Sequence, residues 1–249
     1  MDYINKTLSH IKIIEILIIF LVLYLFILAI ETFLNFAIDE IVVYIGIILF
    51  VVYKLRNCKE DLIFKSKTLF DKFSFKEILI IVLLNIFFSY GMLIITHFLE
   101  QSFLSGELAY IFDSSILGIS LLSSVVVAPI FEELLFRGIF LQRLHIVFKI
   151  TTAILITSIL FGIVHNFGGI ISAIVFGICM CILYVKSQNI LVPIFAHFLN
   201  NLFAETIVII DYNNLIFTNI LIIVIFSILA IISACFLAIS IKKEFSSLK

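Results

Sequence analysis

The sequence predicts an all-α fold: a polytopic membrane helical bundle of about eight transmembrane helices. Three observations lead there: the composition, the lengths of the apolar runs, and the placement of every basic residue. Of 249 residues, 63% are hydrophobic and 13% charged, against roughly 25% charged in a soluble domain. A mean hydropathy of +1.30 exceeds what one soluble core of this length can hide, so lipid is the expected solvent and partner of most of the chain. The net charge of −1 gives no reason to expect nucleic acid as a partner. There are 2 prolines and 9 glycines, with no internal repeat and no low-complexity stretch.

A transmembrane helix needs about 20 apolar residues. The apolar runs place spans near residues 11–30, 34–53, 78–98, 115–136, 150–166, 169–185, 190–210 and 215–241. In the first, Lys6 and Lys12 precede a run from Ile13 to Ile30 with no small-residue cleavage site after it. It is read as a helix that stays, not as a removable signal. The second is the weakest, because its uninterrupted core from Ile41 to Tyr53 is short enough for a re-entrant piece. Between the second and third, Asn57 to Phe75 sets Leu62, Phe64, Leu69, Phe70 and Phe73 among lysines. That pattern suits a segment lying on the membrane surface as well as a solvated basic loop. We divide the chain into an N-terminal transmembrane region (1–112), a core carrying the candidate chemistry (113–210) and a C-terminal transmembrane helix (211–249).

Charge placement supports eight spans. All 16 Lys and Arg residues fall before span one, in the second loop, or after spans four, six and eight. The alternate connections hold Glu31, Asp39, Glu40, Glu100, Glu107, Asp113 and Asp211, with no Lys or Arg. The positive-inside rule then makes both termini cytoplasmic. The cysteines are Cys58, Cys179, Cys181 and Cys235. They imply no disulfide framework, and Cys179 and Cys181, two apart on a helix, point to different sides.

Ionisable groups within spans are costly and mark function by default. Glu132, Glu133 and Arg137 end the fourth run. Glu133 and Arg137 are i and i+4 and pair on a helix, whereas Glu132 is turned about 100° away and has no local partner. An unpaired carboxylate in an apolar site suits a general base; the plainer reading is a juxtamembrane cluster at a helix end. His165 follows Phe161 and Gly162 at the end of span five. His197 and Asn201 share a face of span seven, and Glu205 extends that face by one turn. A lone buried His is commonly a satisfied core residue. Two His, an Asn and a di-Glu on successive spans weaken that reading. Measured from the turn near Lys149, Glu133 and His165 each lie roughly 24 Å along their helices. Measured from Lys186, His197 and Asn201 lie roughly 16 and 22 Å in. The four candidates meet at one depth only if span four continues as helix past Arg137, and Gly138 is a natural place for it to break.

E-E-x-x-x-R, then F-x-x-x-H, then H-x-x-x-N, in this order on successive membrane helices, resembles the CPBP family: the type II CAAX prenyl proteases with the bacterial abortive-infection and bacteriocin-immunity proteins. The likeness covers roughly Ser120 to Glu205 and none of the earlier spans. It implies an intramembrane endopeptidase with a helical bundle fold. By position, it implies Glu132 as the base that activates water with help from His165, His197 and Asn201 as oxyanion donors, and Glu133 and Arg137 as support. Such a set makes chemical sense unaided, since peptide hydrolysis needs an activated water and donors for the tetrahedral oxygen.

Alternatives stay open at this level. No cofactor is expected, but zinc is the runner-up, because Glu132, His165 and His197 would make a His₂Glu ligand set. The chain lacks H-E-x-x-H. The expected substrate is a membrane-associated or leader-bearing peptide or small protein. The Ile-, Phe-, Asn- and Lys-rich composition suggests a bacterial membrane, which disfavours a prenylated substrate. A non-catalytic bacteriocin-immunity or scaffold protein of the same fold would not need the intact set of four. A transporter would call for broken helices in two matched halves, and only Pro129 and Pro193 interrupt spans.

The map predicts that reporter fusions at Lys249 and at Glu107 lie on opposite sides of the membrane, with Lys249 cytoplasmic. Finding both on one side would refute eight spans.

Overall fold

In lipid, backbone N–H and C=O groups must be satisfied within the chain, which leaves helices for a bundle. The computed structural model describes residues 3–34, 41–57, 67–103, 119–165, 169–211 and 213–248, and among these every regular element is helical. They are α1 (Tyr3–His10), α2 (Ile13–Leu34), α3 (Ile41–Lys54), α4 (Phe75–Phe103), a continuous helical stretch over residues 119–147 termed α5, α6 (Ile150–Ile163), α7 (Ile170–Ser187), α8 (Leu191–Ile210), α9 (Leu215–Thr218) and α10 (Ile220–Ser247). Helices α2, α4, α7, α8 and α10 are long and apolar enough to cross a membrane, and α3 and α6 are shorter apolar helices. These helices and α5 overlap the eight expected runs, five of them at full spanning length.

Local chemistry fixes several ends. Ser74 and Glu77 form a reciprocal capping box at the start of α4: the Ser74 N–H donates to Glu77 Oε2 at 2.7 Å and the Glu77 N–H to Ser74 Oγ at 3.2 Å. Asn219 Oδ1 accepts from the N–H groups of Leu221 and Ile222 and starts α10. That cap divides the last expected span, so the chain makes a short α9, a break at Asn219, and a helix running to Ser247 rather than ending near 241. Helix α6 stops at Ile163, because Val164 already has ψ −1. His165, expected at the end of span five, sits just past the helix end. Asp39, Glu40, Glu107 and Asp113, residues 58–66 of the expected surface segment with Cys58, and the 112/113 boundary lie outside the described residues.

Helix α4 runs along α10, α6 along α7, and α8 sits among α4, α5 and α7. Helix α5 is central, touching α1, α3, α6, α7 and α8. Ends that carry basic residues gather together. Arg143 donates to the carbonyls of Ile11 (3.1 Å) and His10 (3.4 Å), Lys54 pairs with Glu15 at 2.9 Å, and Lys186 pairs with Glu244 at 2.8 Å.

The α6–α7 pair depends on small residues, as membrane helix contacts commonly do. A Cβ on Gly177 would lie 3.1 Å from Ser158 Cβ and 3.2 Å from Ser158 Cα. Gly177→Val is therefore expected to cost about 1–3 kcal/mol by overpacking, read as a lower thermal midpoint of the purified protein. Ser158→Gly in the same chain should restore part of it. An unchanged midpoint in Gly177→Val would contradict this close approach.

Candidate active site

The site begins with a proline in the middle of α5. Pro129 lacks an N–H, and its ring crowds the preceding turn. The helix answers with wide π turns over Ser123–Val127, where the N–H of Ala128 bonds the carbonyl of Ser123, five residues back. In that register the donor for Ser124 O would be residue 129, the proline. Ser124 O instead accepts from Asn201 Nδ2 of α8 at 2.8 Å. A second wide stretch covers Leu134–Leu141, and the helix passes Gly138 without breaking. The continuity that the depth comparison requires is present, and Glu132, Glu133 and Arg137 stay inside the bundle.

Arg137 and Glu133 are both 0% exposed. Arg137 Nη1 donates to Glu133 Oε1 at 2.9 Å, and Nη2 to the carbonyl of Gly177 at 3.2 Å. Glu133 Oε1 also meets His197 Nδ1 at 2.8 Å. The expected Glu133–Arg137 pair thus extends to a third member on α8. A neutral His197 bonded to this carboxylate carries its proton on Nδ1, which leaves Nε2 as the free nitrogen. Nε2 faces Glu132 Oε2 at 3.8 Å, too long for a hydrogen bond, and that oxygen has no hydrogen-bond partner among the described residues. The two carboxylates flank one imidazole but differ in access. The side chain of Glu132 is 21% exposed, although its Oε2 is itself buried, and that of Glu133 is 0% exposed.

His165 is held differently. Its Nδ1 lies 2.7 Å from the carbonyl of Phe161, and its ring lies 4.5 Å from the Phe161 ring. The same phenyl ring is 6.0 Å from His197 and carries the Arg137 guanidinium at 4.4 Å. The structure therefore brings Glu132, Glu133, Arg137 and His197 together directly. His165 joins them through one aromatic ring, and no bond joins it to Glu132. Asn201 joins through Ser124, with one amide hydrogen already committed there.

Sequence reasoning did not find Ser124, Gly177, Phe176 (4.8 Å from the His197 ring) or the central position of Phe161. The one available signal was Pro129, which forces a bulge and frees a carbonyl. Among the described residues no three His, Cys, Asp or Glu side chains converge as a metal site requires. Cys179 and Cys181 are buried free thiols.

Comparison with known proteins bears on this stretch. Residues 113–203 match the family described as "Type II CAAX prenyl endopeptidase Rce1-like". The resemblance to the CPBP family holds where the motifs lie. Over 82 residues the chain is 38% identical to "Putative membrane peptidase YdiL" of Bacillus subtilis (strain 168), covering 32% of this chain and 34% of that protein. The match thus spans about a third of that relative. No solved structure matches. Glu132, Glu133, Arg137, His165, His197 and Asn201 all fall inside the family match.

The network predicts unequal carboxylates. Glu133→Gln strands Arg137 and should destabilise the protein by about 3–5 kcal/mol, seen as low accumulation or a lower thermal midpoint. Glu132→Gln should leave the midpoint near wild type. Equal midpoints for the two variants would contradict the assignment.

Proposed function

We propose that this chain is an intramembrane endopeptidase that cleaves a membrane-associated or leader-bearing peptide with water activated at Glu132. The observation that carries this reading is the arrangement around His197: Glu133 holds one ring nitrogen at 2.8 Å, and the more accessible Glu132 faces the other at 3.8 Å. The family match over residues 113–203 supports the reaction class. In this reading the protein sits in a bacterial membrane with cytoplasmic termini.

The chemistry follows from the placement. A water lodged against Glu132 Oε2 loses its proton to that carboxylate as its oxygen attacks the peptide carbonyl carbon. His197 Nε2, when protonated, donates to the oxygen that becomes negative, while Nδ1–H stays on Glu133 and fixes the ring. The amide C–N bond then breaks, and the amine departs with the proton that Glu132 took up. Asn201 fixes α8 against the bulge of α5 through Ser124 and has one amide hydrogen left for the oxyanion. His165, at the helix end beside Phe161, borders the same space and assists the water. The walls are apolar, with Phe136, Phe161 and Phe176 all buried. They exclude bulk water and strengthen each of these interactions.

The scheme requires no metal. Glu132→Gln should lower cleavage by at least about 10²-fold, within the range expected for loss of a general base. Cleavage by purified wild-type protein should persist after phenanthroline treatment. The readout is product peptide in cells and in reconstituted vesicles. Activity lost on chelation and restored by zinc would overturn the metal-free scheme, and undiminished cleavage by Glu132→Gln would overturn the assignment of the base.

A further inference from the structure

Glu205 lies two residues past the family match and takes no part in the chemistry above. It stands four residues beyond Asn201 and eight beyond His197 on α8, about 6 and 12 Å further along one face. The simplest view of such a residue is a carboxylate reaching outward to interfacial water. The structure leaves it half-buried, with one oxygen turned to a neighbouring helix. Ser124 Oγ donates to Glu205 Oε1 at 2.8 Å, so the carboxylate is drawn against α5, at the residue whose carbonyl receives Asn201.

Glu205 is half-buried, and a cation close by favours such a carboxylate in its charged form. Among the described residues no Lys, Arg or His pairs with Glu205. Arg137 is committed to Glu133 and Gly177. The charge map of the sequence assigns the rest of the 16 Lys and Arg to the other side, and residues 35–40, 104–118, 166–168 and 212 contain none. One hydrogen bond from a neutral hydroxyl is a partial answer. A cation from outside the chain would complete it.

We infer that Glu205 is a specificity-determining residue that receives a basic side chain of the peptide substrate, three or four residues from the bond that is cut. The spacing follows from the 12 Å rise between His197 and Glu205 and about 3.3 Å per residue of an extended peptide. The substrate is thus an apolar segment carrying a Lys or Arg at that distance, with the cation directed to the end of the bundle that lacks basic residues. This inference rests on the peptidase reading for its scissile bond, but the cation site itself does not require cleavage.

Two measurements separate these. The first is binding to full-length protein carrying Glu132→Gln in nanodiscs. The probes are a fluorescent apolar peptide with one lysine and its twins with norleucine or glutamate at that position. The lysine peptide should bind about tenfold tighter than the norleucine twin, a typical scale for a desolvated charge pair, and the glutamate twin should bind weakest. Glu205→Gln, which keeps an acceptor for Ser124, should erase the difference, and Glu205→Lys should reverse it. Equal binding of the three peptides, or a lysine preference that survives Glu205→Gln, overturns the proposal. The peptide comparison on protein with intact Glu205 decides even if a Glu205 variant fails to fold. The second measurement maps cut sites in cells with the wild-type chain against Glu132→Gln. Lysine-selective binding without Glu132-dependent products retains the cation site and removes the peptidase reading. Glu132-dependent products with no basic residue three or four positions from the cut retain the peptidase and remove this substrate class.

Discussion

Arg137 is sealed from bulk solvent. Its side chain is among the largest fully buried ones in the molecule, and a guanidinium cannot give up its charge. Leaving it unpaired in a bundle core would cost several kcal/mol. Glu133 neutralises it, the Gly177 carbonyl takes a second N–H, and the Phe161 ring lies 4.4 Å beneath the charge. These contacts tie α5 to α7 and α6. The same Glu133 oxygen reaches His197, so α8 is tied in as well. The positions of Glu133 and His197 depend on this neutralised charge.

That constraint also separates two adjacent, chemically identical side chains. Glu133 is spent on Arg137 and His197 and is sealed from solvent. Glu132, one residue away, is rotated off the ion pair and keeps an oxygen with no protein partner near His197 Nε2. A single carboxylate could not both neutralise Arg137 and take a proton from water. Pro129 adds the second tie. By denying Ser124 its backbone donor, it leaves a carbonyl for Asn201, which sets the height of α8 against α5. A defect in one helix thereby becomes the register mark for another.

Much of this was legible in the sequence, for physical reasons. Lipid forces long apolar runs and segregates charge, so the helical bundle and the order of its spans could be read directly. The i, i+4 spacing of Glu133 and Arg137 announced their ion pair. What depended on contacts between helices could not be read. Nothing in the spacing of 64 residues says that His197 bonds Glu133. The end of α6 before His165 turns on the backbone at Val164, which an unbroken apolar run conceals. The continuation of α5 through Gly138 was open because glycine permits a break without requiring one. Pro129 marks the first wide stretch of α5, but no residue marks the second, over Leu134–Leu141, where α1, α6 and α7 pack. Glu205 could be placed on the face of His197 and Asn201, but its inward turn depends on Ser124, 81 residues away in sequence.

The central claim is that Glu133 fixes the proton of His197 on Nδ1 and turns Nε2 towards Glu132. The most direct measurement is the ¹⁵N spectrum of histidine-labelled protein in lipid. The His197 signal can be identified among the five histidines by its loss in His197→Asn. The account predicts a ring with a proton on Nδ1, held in a strong hydrogen bond that Glu133→Gln weakens. A ring protonated only on Nε2, or a signal indifferent to Glu133→Gln, would contradict it.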